Sequence, residues 1–157
     1  MKKMIIGLSL FLFTNLLFAF DYMSIRDYLG KDFSVVLKDY PDMKIDSSTG
    51  VYVTTFYEND DRTRHYSISC FVANGKVTDI MFGVQVMSQN IAIEYFNKFK
   101  EDNKMTSGGT LVVNNSNEYN WVLSNIYRTI VKFQDSSNED GYFMVFLIFM
   151  INPQYIR

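Results

Sequence analysis

Residues 65–86 read HYSISCFVANGKVTDIMFGVQV, and this stretch decides the fold. Asn74-Gly75 is the strongest short hairpin signal in the chain, because a type I′ turn needs positive φ at both central residues. The flanking segments are rich in β-branched and aromatic residues, which strands favour. We therefore predict strands over 65–73 and 76–86, joined by a two-residue turn.

The pairing register of this hairpin follows from the length of its turn. Ala73 then faces Lys76, Val72 faces Val77, Cys70 faces Asp79 and Ile68 faces Met81. In that register neither face of the hairpin is cleanly polar. Two explanations stay open: both faces are partly covered, or a β-bulge shifts the register.

The segment before the hairpin predicts helix followed by one strand. Apolar residues recur at helical spacing from Ile25 to Tyr40, Ser24 and Asp27 resemble a capping box, and Pro41 ends the pattern. Gly30 interrupts the pattern, so two short helices meeting there are as consistent with it as one long helix. A polar turn over 46–50 then leads into a strand over 51–57.

The segment after the hairpin predicts a second helix and further strands. The helix begins at Ser88 and ends near Lys104, and a strand follows over 110–113. Residues 118–134 fit both a helical stripe and a strand alternation, and their β-branched content favours strands. Residues 141–151 are apolar almost throughout and too few to cross a membrane as a helix, which predicts a central strand with both faces covered.

These elements predict a single α+β domain. We expect an antiparallel sheet of about five to six strands, with two main helices packed on one face. The two halves share a helix-then-strands order, with Gly50 and Gly109 at matching places. A weak αβββ duplication is therefore an alternative to an undivided α+β domain.

The N-terminus predicts export. Lys2 and Lys3 precede an apolar run over 4–18, and Ala19 is small enough for a signal peptidase to cut after it. We expect residues 1–19 to be removed and residues 20–157 to form the mature domain. The alternative is an uncleaved anchor. Both place the domain outside the cytoplasm, in the bacterial periplasm or secreted, because the lysines stay inside.

Composition excludes several classes of function. With 15 basic and 17 acidic residues in 157, the chain lacks the excess of Lys and Arg that nucleic-acid binding needs. One Cys and one His rule out a disulfide framework and an ordinary zinc site. We predict no metal and no cofactor, since the chain has no Walker loop or dinucleotide fingerprint.

Only weak candidates for chemistry are present. His65, beside Asp61, is a candidate for acid–base catalysis, and the competing interpretation is a solvated loop whose charges neutralise one another. Cys70, on a predicted strand, indicates a buried and inert thiol. Its alternative is an intermolecular disulfide.

Aromatic residues supply the candidates for binding. Trp121, with Tyr119 near it, is the best candidate for an exposed aromatic contact. Tyr95, Phe96 and Phe99 lie on one stripe of the second predicted helix, where they would line a pocket between helix and sheet.

Three functional hypotheses follow. The favoured one is an exported, non-enzymatic binding or protein-interaction module of the cell envelope, which acts on a protein partner or as a homodimer. The alternative is a small-ligand protein that takes a lipid or sugar into the helix–sheet pocket. The third is a small hydrolase that uses His65.

Overall fold

A computed structural model describes residues 21–57, 64–107, 110–122 and 127–151 of the chain. No helix within these ranges is both long and apolar enough to span a membrane. The predicted signal peptide lies outside the described residues. In chain order, the elements are a 3-10 helix Ser24–Tyr28, α1 Phe33–Asp39, β1 Lys44–Asp46, β2 Val51–Tyr57, β3 Arg64–Ala73, β4 Lys76–Val86, α2 Gln89–Ser107, β5 Thr110–Asn114, β6 Glu118–Val122, β7 Tyr127–Ser136 and β8 Tyr142–Ile151.

The eight strands of the described residues belong to one antiparallel sheet, in the order β1-β2-β3-β4-β8-β7-β6-β5. The prediction of five to six strands is therefore wrong. One missing strand is β1, whose three exposed residues are too few to show a period of two. The second uncounted strand comes from the segment 118–134, which contains the start of two strands, β6 and β7, that pair with each other.

The two halves of the chain approach the centre of the sheet from opposite edges. Each half has helix first and then four strands, and its fourth strand is innermost, so β4 pairs with β8. The αβββ unit suggested by the sequence is thus one strand too short. This arrangement places the two longest apolar strand segments side by side at the centre.

The β3–β4 hairpin contains the turn that the sequence predicts and a bulge that decides its faces. Asn74 and Gly75 have φ values of 52° and 77°, as a type I′ turn requires. Val72 pairs with Val77, but the register then shifts and Phe71 pairs with Asp79. Thr78 is the extra residue, so the predicted Ile68–Met81 pairing is wrong and Ile68 pairs with Phe82.

The bulge sorts the central strands into a helix-covered face and a helix-free face. On the covered face, Phe82 contacts Phe99 of α2 with ring centroids 5.9 Å apart, and Tyr66 contacts Tyr95 at 6.3 Å. The fully buried side chains of this core are Ile25, Val36, Ile68, Cys70, Val77, Ile80, Val84, Val86, Ala92, Phe99, Val131, Val145, Leu147 and Phe149.

The N-terminal helical segment consists of two short helices on either side of Gly30, and not of one long helix. Ser24 does not form a capping box, since its Oγ donates a hydrogen bond of 2.6 Å to the Asp21 carbonyl. Gly30 has φ 76°, and its N–H donates to the Val77 carbonyl at 2.8 Å. The chain between the helices is thereby attached to the start of β4.

Candidate functional site

The helix-free face carries a continuous group of apolar side chains at the centre of the sheet. Along β8, residues with odd numbers from Val145 to Ile151 are buried under the helices, and those with even numbers are half-buried on the opposite face. This follows from the period of two along a strand. We call the apolar residues of this face the apolar strip, namely Met81, Ile130, Met144, Phe146, Ile148 and Met150.

Strand register makes the apolar strip contiguous across three strands. Met81 of β4 pairs with Ile148 of β8, which pairs with Ile130 of β7. Side chains directly opposite each other on antiparallel strands have Cβ atoms about 4.5–5.5 Å apart. Phe146 and Met150 flank Ile148 along β8, so the strip extends in both directions of the sheet.

Within the described ranges, the helices all pack on the other face. The core cluster joins helix residues such as Ile25, Val36 and Phe96 to the oppositely directed strand residues, Ile80 and Leu147 among them. The strip is therefore uncovered by any described helix. Among the described residues, the neighbours of these half-buried side chains are strand residues.

Gly83 shapes a small depression next to the strip. The depression has a volume of about 70 Å³, and its lining includes His65, Ser67, Gly83, Met144 and Phe146. A Cβ on Gly83 would lie 2.5 Å from Ser67 Oγ and 3.4 Å from Phe146 Cδ1. The absence of a side chain at this position allows Ser67 and Phe146 to approach each other.

Polar residues border the strip on both sides. On β4, the Asp79 carboxylate accepts a hydrogen bond of 2.6 Å from Thr78 Oγ1, and burial raises the pKa of Asp79 above its ordinary value. On β7, Lys132 is exposed and pairs in register with Glu118 of β6. The site is an apolar centre with a polar margin.

His65, one of the two catalytic candidates, lies at the margin of this face. His65 is half-buried at the beginning of β3, and its ring centroid is 5.9 Å from that of Tyr142. Asp61 lies outside the described residues. Catalysis by His65 stays a prediction.

The three aromatic residues expected to line a pocket are part of the core. Phe99 is fully buried, and Tyr95 and Phe96 are 7% and 6% exposed. The Tyr95 hydroxyl lies 2.8 Å from the Tyr66 hydroxyl, which ties α2 to β3. These side chains pack α2 onto the sheet, and a ligand role for them stays a prediction.

Trp121 is only 5% exposed, so the expectation of an exposed indole is wrong. The register of β6 against β7 pairs Trp121 with Thr129 on the helix-covered face. Tyr119 stacks on Trp121 with centroids 5.8 Å apart, and Lys100 Nζ lies 4.5 Å from the Tyr119 ring centroid. This aromatic pair packs beneath α2.

Cys70 is fully buried, which confirms the expectation of a buried thiol. Burial raises its pKa to about 12, so the reactive thiolate is scarce at neutral pH. An intermolecular disulfide through Cys70 would require the core to open.

Sequence reasoning missed the apolar strip as a site. Residues 141–151 carry the signal, since both of their alternating sets are apolar, but that pattern predicts a strand covered on both sides. Which face the helices cover depends on the tertiary fold, and the strand sequence alone does not contain that information.

Comparison with family models, curated proteins and solved structures found no match to this chain. Among the described residues, no group of three or more His, Cys, Asp or Glu side chains is placed to hold a metal ion.

Proposed function

We propose that this chain is an exported protein-interaction module that binds a folded partner protein through the apolar strip. The observation that carries the proposal is a set of half-buried side chains at the centre of the sheet that no described helix covers. Contiguous apolar surface of this kind on a folded domain usually marks a contact with a partner.

The composition of the strip supports a protein as the occupant. Protein interfaces have an apolar core and a polar rim, and methionine is enriched in them. Met81, Met144 and Met150 are unbranched and polarizable, so they adapt to the shape of a partner. Lys132 at the β7 margin favours a partner that offers a carboxylate there.

Export is the second part of the proposal, and it is supported by the sequence alone. Lys2 and Lys3 before the apolar run are typical of a signal peptide, and the absence of a cysteine next to that run argues against a lipoprotein. The partner would then be a protein of the bacterial envelope or of the exterior.

The proposal is tested by placing a photo-crosslinking amino acid at Ile148 and expressing the full chain in its source organism. The matched control carries the same amino acid at Ile93, which is 42% exposed on α2. We expect irradiation to give a discrete product that contains a second, different protein at position 148 and none at 93. Mass spectrometry of the product identifies the partner.

Two results would overturn the proposal. No product at either position, or equal products at both, would mean that the helix-free face is not a specific binding surface. A product that contains two copies of this chain would replace the heterologous partner with a homodimer.

A further inference from the structure

At the Met150 end of the apolar strip, a row of side chains crosses four strands and contains two opposite charges. Register pairs Phe71 of β3 with Asp79 of β4. On β8, Met150 pairs with Asp79 on one side and with Arg128 of β7 on the other. Directly paired residues of antiparallel strands point to the same face, so this row lies on the helix-free face. Neighbouring strands are about 4.8 Å apart, which places Asp79 and Arg128 about 10 Å apart across Met150.

The Asp79 carboxylate weakens the fold of the free chain. Its side chain is half-buried, and it accepts a hydrogen bond from the Thr78 hydroxyl. Burial raises the pKa of Asp79, because a desolvated carboxylate is less stable in its ionised form. A residue that lowers stability in this way is typical of a functional position, where binding supplies the compensating interaction.

Arg128 carries the opposite charge at the other end of the row. Its side chain is exposed, and within the described ranges it belongs to no ion pair. Arg26 and Lys31 line the same cavity as Arg128, and among the described residues of that lining Asp27 is the one acid. Positive charge is therefore in excess at this end of β7. A carboxylate brought here by a partner would be attracted by several cationic groups.

We infer that the partner of the apolar strip carries a lysine or arginine opposite Asp79, an apolar side chain opposite Met150, and a carboxylate opposite Arg128. This inference rests on the proposed function, since it specifies the partner that binds the strip. Complementary charges across an interface fix the orientation of the two proteins. In the reversed orientation like charges would meet at both positions, so the partner binds in one orientation only.

The photo-crosslinking amino acid at Ile148 also tests this inference, in chains that carry a second substitution. Under brief irradiation the amount of heterologous product follows the amount of partner bound. We expect Asp79→Asn and Arg128→Gln each to lower the yield of this product about tenfold, which corresponds to about 1.4 kcal/mol of binding free energy. Removing one member of an interfacial charge pair leaves the other charge unpaired, and a loss of this size follows from that.

Matched controls remove one charge of each sign from the edge strand β1. Lys44→Gln and Asp46→Asn change exposed residues three strands away from β4, and they should leave the yield within about twofold. Thermal melting of each purified variant shows that it is folded. Asp79→Asn should melt at a higher temperature and yet give less product. This combination separates recognition from a structural role, because a purely structural residue would change stability without a loss of product.

Failure of the proposed function and failure of this inference give different results. If the chain without a second substitution gives no heterologous product, the proposed function fails. If that product forms and its yield is unchanged in Asp79→Asn or in Arg128→Gln, the strip binds a partner but the inferred order of charges is wrong. Arg128→Glu should lower the yield further than Arg128→Gln, and a higher yield would show that no carboxylate meets this position.

Discussion

Gly83 lies in the middle of β4, and Ser67 and Phe146 occupy the space that a Cβ would need. We expect Gly83→Ala to lower the free energy of unfolding by about 1 kcal/mol, because overpacking forces neighbouring side chains to move. Chemical denaturation measures this loss. A glycine at position 83 is explained by the lack of space for a Cβ, and not by a turn conformation that only glycine adopts readily.

A double-mutant cycle with Ser67→Ala checks the cause of that loss. Removing Ser67 Oγ removes the closest atom, so the double variant Ser67→Ala, Gly83→Ala should recover much of the lost stability. Strictly additive effects of the two substitutions would show that Ser67 and Gly83 do not share this space.

Asp79 is a carboxylate that the fold holds in an unfavourable environment. Burial raises its pKa, so the folded state binds the proton at higher pH than the unfolded state does. Ionisation therefore destabilises the fold as the pH rises through the ordinary pKa and then the raised one. We expect Asp79→Asn to raise the melting temperature at pH 7, and the gain to vanish in acid.

Asp46 provides a control, because its pKa is shifted in the opposite direction to that of Asp79. Hydrogen bonds from Ser48 and Thr49 lower the pKa of Asp46, so its ionised form stabilises the fold above the ordinary pKa. That contribution is lost as the pH falls through the lowered pKa, and Asp46→Asn should not raise stability at pH 7. If the melting temperatures of both variants respond to pH alike, the account of Asp79 is wrong.

At the scale of elements, α2 is held on the sheet by aromatic contacts. Phe99 is fully buried against Tyr22, Phe82 and Tyr95. Phe99→Ala should therefore lower the free energy of unfolding by about 3–5 kcal/mol, because it leaves a cavity in the core. Denaturant titration of Ile93→Ala, on the exposed side of the same helix, should show a loss below about 1 kcal/mol.

A small loss in Phe99→Ala, similar to that in Ile93→Ala, would contradict the packing of α2 described above. The Tyr66–Tyr95 hydroxyl contact would then be the main attachment of this helix.

Local signals in the sequence predicted where the helices and strands lie better than which face of the sheet each side chain occupies. Asn74-Gly75 specifies its own turn, so the hairpin and its first two residue pairs were predictable. The bulge at Thr78 was not, because it places Ile68 and Cys70 on the same face as Ile80 and Phe82, a requirement of the whole core. The apolar strip could not be predicted without this bulge, because the bulge decides which side chains of β4 lie on each face.

The burial of Trp121 was hidden for a similar reason. A strand of five residues does not show which of its faces meets the helices, and the answer comes from its register with β7. The polar residues 115–117 belong to the turn between β5 and β6, so they do not indicate whether Trp121 is exposed. The high aromatic content of the chain is consistent with core packing or with binding. The burial of Trp121 shows that this side chain packs in the core.

At the scale of the whole molecule, the order of strands produces the candidate site. Since each half runs from its edge toward the centre, β4 and β8 meet there with apolar residues on both faces. The two helical segments cover one of those faces. The apolar strip is what remains on the other, and we propose that a partner protein completes its burial.

Methionine oxidation reports whether a partner covers the apolar strip, because the chain carries its own control methionines. Met81, Met144 and Met150 lie on the strip, Met87 is 62% exposed, and Met43 is 7% exposed in the core. Peroxide converts accessible methionine to its sulfoxide, which mass spectrometry quantifies at each position. The comparison is between the purified chain and the chain in intact cells of its source organism.

We expect Met81, Met144 and Met150 to be oxidised in the purified chain and protected in cells, while Met87 is oxidised and Met43 is protected in both. Equal oxidation of the three strip methionines in the two settings, with Met87 reacting normally, would contradict a partner on this face.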